Sequence, residues 1–190
     1  KLRQELEDLE FTSLLHRLPE YMKSREDIAV KHDEIEKTEI REFDASAEVL
    51  FQMADEIVAV LDEDSLFLSA EVNVAYRLDI QAGIDLLCGR NVVAYDVKFL
   101  AEQLLKHGDV DFNVLFDTKL AGFMLNSLRK VGDLAKAIGW LELGEDGETL
   151  TMTPAQKIAA VWLLYREQRA ALAAHEKLNK LAREVDFPLQ

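Results

Sequence analysis

Apolar positions along the chain change period several times. Leu2, Leu6 and Leu9, then Leu14, Leu15 and Leu18, recur at helical spacing, and Pro19 ends the run. Residues 20–43 are charged and poor in large apolar side chains, and read as a linker or edge segment. Asp44 then stands as an N-cap before a short helix, "ASAEVLFQM". Three short apolar runs follow, "EIVAVLD" (56–62), "SLFLSAEV" (65–72) and "VAYRLD" (74–79), each bounded by acids or Asn as strands joined by tight turns should be.

From there the pattern alternates. Residues 80–87 are helical, 91–96 a strand, 97–108 a helix with a Gly stop, 112–117 a strand, and 118–128 and 131–141 helices. A turn-rich loop leads to Thr153, which caps a long helix with Pro154 in its first turn. Three consecutive strands followed by alternating helix and strand predict an α/β fold. Its sheet is mixed and five-stranded, an antiparallel meander followed by parallel strands, with helices on its faces.

Composition narrows the function. Thirty-six acids against 22 Lys and Arg give a net charge of −14, which repels nucleic acid over most of the surface. A role near DNA must therefore come through a covalently joined domain or through bound cations. No apolar run is long enough to span a membrane and no signal peptide opens the chain, so a cytoplasmic setting is expected. The single Cys88 lies on an apolar stretch and reads as a small core residue. His16, His32, His107 and His175 are scattered without ligand spacing and read as surface residues. The chain lacks a starting Met and stops at "DFPLQ", so it reads as an excised segment of something longer.

Glycine-rich phosphate loops are absent, and the single Cys has no His near it in sequence. Candidate chemistry rests on acids at strand ends: Asp62, Glu63 and Asp64 after the first core strand, Asp96 after the fourth and Asp117 after the fifth. Ligands bind at the carboxyl ends of parallel strands, and carboxylates there can hold a pair of hard cations for phosphoryl transfer. The plainer reading is that these acids cap strands and helices. The acids at 32–36 and 144–148 read as solvated surface.

Residues 94–141, "AYDVKFLAEQLLKHGDVDFNVLFDTKLAGFMLNSLRKVGDLAKAIGWL", resemble the proofreading 3′–5′ exonuclease region of bacterial DNA polymerase I, a family A polymerase. Phe116-Asp117-Thr118 and Leu125-Asn126-Ser127 carry the likeness, with Lys98 and Phe99 in frame with an earlier motif. Residues 5–18 are similar to the segment leaving that family's 5′-nuclease domain. The tail "EVDFPLQ" resembles the approach to its polymerase domain. The likeness implies a ribonuclease-H-like fold. It also implies a division into a leaving helix (1–19), a charged segment (20–43) and an exonuclease-like domain (44–190).

Active members of that family hold two divalent metals with four carboxylates. Carried over, Asp62–Glu63–Asp64 stands in for an Asp-x-Glu pair, and the acid expected one turn into the helix after Asp96 is Leu100. In the late helix two registers are open. Matching the family's Tyr to Trp162 puts Arg166 at the last ligand position, and matching it to Tyr165 puts Arg169 there. Asp96 replaces the family's Asn, and Asp117 resembles a structural cap. Phe99, Leu100 and Leu104 then form one broad helix face able to pack on a sheet, and Trp162, Leu163 and Tyr165 do the same for the long helix.

The resemblance thus implies a degenerate site with no catalytic residue, metal or cofactor in this segment. Its partners would be the 5′-nuclease and polymerase domains of the same chain. Magnesium and DNA would be met only through the full-length polymerase, which copies a template in replication and repair. Two other readings stand beside it. One is a working exonuclease using Asp62, Asp64, Asp96 and Asp117; the other is an acidic protein-interaction module with an exposed apolar patch.

Overall fold

A computed structural model of the chain describes residues 35–125, 134–138 and 151–187. The expected helix over 2–18, most of the charged segment and the 144–148 loop lie outside the described residues. Among the described residues six strands are present: β1 (Glu39–Glu42), β2 (Ile57–Asp62), β3 (Ser65–Glu71), β4 (Val74–Asp79), β5 (Asn91–Ala94) and β6 (Asn113–Asp117). They form one sheet in the order β1-β4-β3-β2-β5-β6. The meander β2–β3–β4 is antiparallel, whereas β2–β5 and β5–β6 are parallel. The expected mixed α/β sheet is therefore the fold, with one strand more than its five.

The additional strand is β1, which lies parallel to β4 with Glu39 opposite Val74. Its four side chains are all exposed, and Ile40 is its one apolar residue. Main-chain pairing to β4 rather than side-chain burial defines it, so no hydrophobic pattern marks it in the sequence. Its charged, short character suits an outer strand.

The helices are α1 (Ala45–Met53), α2 (Ile80–Leu87), α3 (Val97–Leu104), α4 (Thr118–Leu125), α5 (Leu134–Ile138), α6 (Pro154–Ala173) and α7 (Glu176–Leu181). Asp44 caps α1 by accepting from the Ser46 and Ala47 amides. A capping box of Thr153 and Gln156 starts α6, with Pro154 in its first turn. The helix expected to run on from Pro154 instead breaks at Ala174–His175. It resumes as α7 and ends in a π turn, Ala182–Asp186. That path brings Phe187 onto Phe116, with ring centroids 4.9 Å apart.

Two cores flank the sheet. On one face α1, α2 and α3 bring Phe51, Ile84, Leu87, Leu100 and Leu104 onto Ile57, Leu66, Leu68 and Val92. On the other, Val58, Phe67, Val93 and Phe116 meet Ile158, Val161, Trp162 and Tyr165 of α6. A third cluster packs Ala160, Leu163 and Leu164 against Ile35, Ile138 and Met152. Residues 158–165 are thus buried on all sides, which is why this helix is apolar all round at its centre. Trp162 Nε1 donates to Ser69 Oγ at 2.8 Å, and Ser69 Oγ donates to the Glu71 carbonyl at 2.7 Å, where the β3–β4 register shifts.

Two expectations fail on α2 and α3. Cys88 is exposed, because it caps α2 ahead of the left-handed Gly89 (φ 67°) instead of facing the core. Phe99, expected to share a buried face with Leu100 and Leu104, is 55% exposed. Val97, Leu100 and Leu104, at i, i+3 and i+7, form the buried stripe, and Phe99 falls off it.

The α2–β3 approach needs a residue without a side chain. A Cβ on Gly83 would lie 2.4 Å from Leu66 Cδ2 and 3.1 Å from Leu66 Cβ. Leu66 is fully buried and has little room to yield. Gly83→Ala is expected to lower stability by about 1–3 kcal/mol despite alanine's better helix propensity. A urea midpoint at or above wild type would contradict this.

Candidate functional site

Parallel strands β2, β5 and β6 end together, and the helix starts that follow them supply the polar groups. After β5 the chain turns through Asp96, held in the left-handed region (φ 61°, ψ 69°), which Asp tolerates better than most residues. Asp96 Oδ1 accepts the Phe99 amide at 3.3 Å, capping α3, and its Oδ2 accepts the Lys119 ammonium.

Asp117 ends β6 and is 2% exposed. Its Oδ2 accepts from the Val97 amide at 2.8 Å, and its Oδ1 from the amides of Lys119 and Leu120, each at 2.9 Å. One carboxylate therefore ties together the first turns of α3 and α4. Thr118 adds a hydroxyl donated to the Ala94 carbonyl at 3.3 Å. Burial pushes the Asp117 carboxyl up from its usual value, against the lowering effect of the three amides.

Asp62, at the end of β2, accepts the ammonium of Lys157 from the first turns of α6. Both side chains of this pair are between a quarter and a third exposed. Asp64 lies in the two-residue β2–β3 turn, exposed to solvent, after Glu63 at φ 51°. Beside these strand ends opens a cleft of about 340 Å³, lined among others by Leu61, Asp96, Phe99, Leu100, Lys119 and Lys157. Leu100 forms part of its apolar wall while remaining 4% exposed.

The sequence-predicted acids therefore do not converge. Asp62 and Asp96 flank the cleft, each bonded to a lysine. Asp64 points from a solvent turn, and Asp117 is buried as a backbone anchor. Among the described residues no group of three or more His, Cys, Asp or Glu is placed to hold a metal ion. The donor set does not fit a two-metal centre: Asp62 and Asp96 each carry an ammonium partner, and Leu100 gives the cleft an alkyl wall.

The cation paired with Asp62 is Lys157, a residue other than the two arginines expected at the late-helix ligand position. Arg166 is exposed on α6. Arg169 Nη1 bonds Glu56 Oε1 at 2.8 Å and Tyr165 Oη at 2.7 Å, with its guanidinium carbon 5.4 Å from the Tyr165 ring centre. Glu56 immediately precedes β2, so Arg169 lies at the end of that strand remote from Asp62. The reason is direction, since α6 runs antiparallel to β2. From Lys157 to Arg169 a helix advances about 18 Å, and from Glu56 to Asp62 a strand covers about 20 Å.

Lys119 and Lys157 are the site residues that the sequence reading missed. Lys119 directly follows the Phe-Asp-Thr block, which is the only local hint. Lys157 is 95 residues from its partner, and nothing local links the two.

No family model matches the chain, and no curated protein matches it. Among solved structures, its fold is similar to that of the POL domain of Pol1 from M. smegmatis, determined in complex with DNA primer-template and dNTP. The TM-score is 0.55 at 19% identity, covering 73% of this chain and 28% of that one. The likeness is one of fold, and this chain spans little more than a quarter of that structure's length. Among the described residues no helix is long and apolar enough to cross a membrane.

Proposed function

We propose that the chain is a 3′–5′ exonuclease-like domain of a DNA polymerase I whose nuclease site is vestigial, and that its role is structural. It would space a 5′-nuclease domain from a polymerase domain and pack against the latter. Template-directed DNA synthesis, with magnesium, would belong to the full-length protein. The observation that carries this reading is the pairing of Asp62 with Lys157 and of Asp96 with Lys119 beside a cleft walled by Leu100. The ammonium groups supply the positive charge that a divalent ion would otherwise bring to these carboxylates, and they would repel such an ion. Residues 94–141 and the shared fold with the M. smegmatis POL-domain structure support the placement in this family.

The test is manganese titration of the 190-residue chain by calorimetry, with an assay of nucleotide release from the 3′ end of single-stranded DNA. No saturable binding tighter than about 1 mM and no release are expected. Two tightly bound ions, or processive release of mononucleotides, would overturn the proposal in favour of the working exonuclease.

A further inference from the structure

A second concavity lies on the far side of the sheet from α1–α3, between β6, α6 and the α7–π turn segment. It encloses about 220 Å³. Its base is aromatic: Phe116 meets Tyr165 edge-on with centroids 5.0 Å apart, and Phe187 packs on Phe116. Three donor side chains complete its lining. Arg169 comes from α6, Asn179 from α7 and Arg183 from the π turn. Among the described lining residues there is no Asp or Glu. In a chain of net charge −14, two arginines lining one pocket run against the composition, although one of them, Arg169, is already paired with Glu56.

From these features we propose that this pocket is an oxyanion site that takes a phosphate group. The described bonds of Arg169, to Glu56 and Tyr165, are both made by Nη1, and its guanidinium sits over the Tyr165 ring. A guanidinium fixed in this way is organised in advance for a second acceptor. Arg183 and Asn179 are four residues apart on consecutive helical turns, so they reach the pocket from the same direction. The apolar base lowers the local dielectric, which strengthens charge-assisted hydrogen bonds to an anion seated there.

Size sets the ligand class. Pockets for drug-sized molecules run to about 300–1,000 Å³, and this one is smaller. It suits phosphate or pyrophosphate, or a single phosphate of a larger molecule whose remainder stays outside. The site is distinct from the cleft at Asp62 and Asp96, and its existence does not depend on the polymerase reading.

Calorimetric titration of the 190-residue chain with sodium pyrophosphate, with inorganic phosphate and with a single-stranded oligothymidylate tests the proposal. Pyrophosphate is expected to bind one-to-one at about 1 mM or tighter. Arg183→Gln should weaken it by about tenfold, as expected for loss of a charge-assisted contact, and Arg183→Lys by less. Arg183 is exposed, so the urea midpoint of Arg183→Gln should match wild type. Oligothymidylate binding that pyrophosphate displaces assigns the phosphate to nucleic acid; pyrophosphate binding without oligonucleotide binding assigns it to a free anion. No pyrophosphate binding at about 10 mM, or binding unchanged in a folded Arg183→Gln, overturns the site.

Discussion

Leu100→Asp is expected to destabilise the fold by about 2–5 kcal/mol and to create no nuclease. Leu100 is 4% exposed and packs in the core cluster with Ala59, Ala94, Val97 and Leu104. Replacing it removes the apolar contacts of a buried leucine and sets a carboxylate against that cluster. The cost is a large part of a typical domain's stability of about 5–15 kcal/mol. Placing an acid there does not assemble a metal site, because Lys157 still holds Asp62 and Lys119 still holds Asp96. Urea denaturation reads the first half of the prediction. Mononucleotide release from single-stranded DNA in manganese reads the second. Release from this single variant would mean that the two lysines yield to metal, and the vestigial reading would fall.

Asp117→Ala should cost about 3 kcal/mol, since hydrogen bonds to a charged group contribute about 1.5–3 kcal/mol and three amides lose their acceptor together. The Val97, Lys119 and Leu120 amides all belong to first helical turns, so α3 and α4 should loosen jointly. Asp117→Asn should lose less, because one oxygen still accepts while the amide NH₂ faces a donor.

The pH dependence has a definite sign. Burial raises the Asp117 pKa above the 3.8 of an ordinary Asp, so the native state holds this proton more tightly than the unfolded chain. Between 3.8 and the raised native value, stability from this group grows as pH falls, and it is lost as pH rises through the native value. The wild-type advantage over Asp117→Asn should therefore be larger at about pH 4 than near neutrality. Hydrogen exchange at the Val97 and Leu120 amides, with urea midpoints at both pH values, measures it. An advantage that shrinks on acidification would show the three amides to outweigh burial.

Much of the fold was legible because burial writes itself into periodicity. Runs such as "IVAVLD" and "SLFLSAE" announce strands covered on both faces, and Asp44 and Thr153 announce helix starts through local backbone donors. Asp117 was readable as a cap for the same reason, although its bond to Val97, 20 residues upstream, was not. Phe99 and Cys88 misled because apolar neighbours suggested burial, whereas one residue's rotation around a helix, or one step past its end, decides exposure.

What the sequence determined by itself was the alternation of elements, their caps and the central burial of α6. Each follows from side chains within a few residues of one another. Tertiary structure alone decided that β1 joins the sheet, that α6 lies antiparallel to β2, and hence that Lys157 meets Asp62. Those outcomes depend on pairings across tens of residues, where a lysine's partner is set by the path of the backbone and leaves no trace in local pattern.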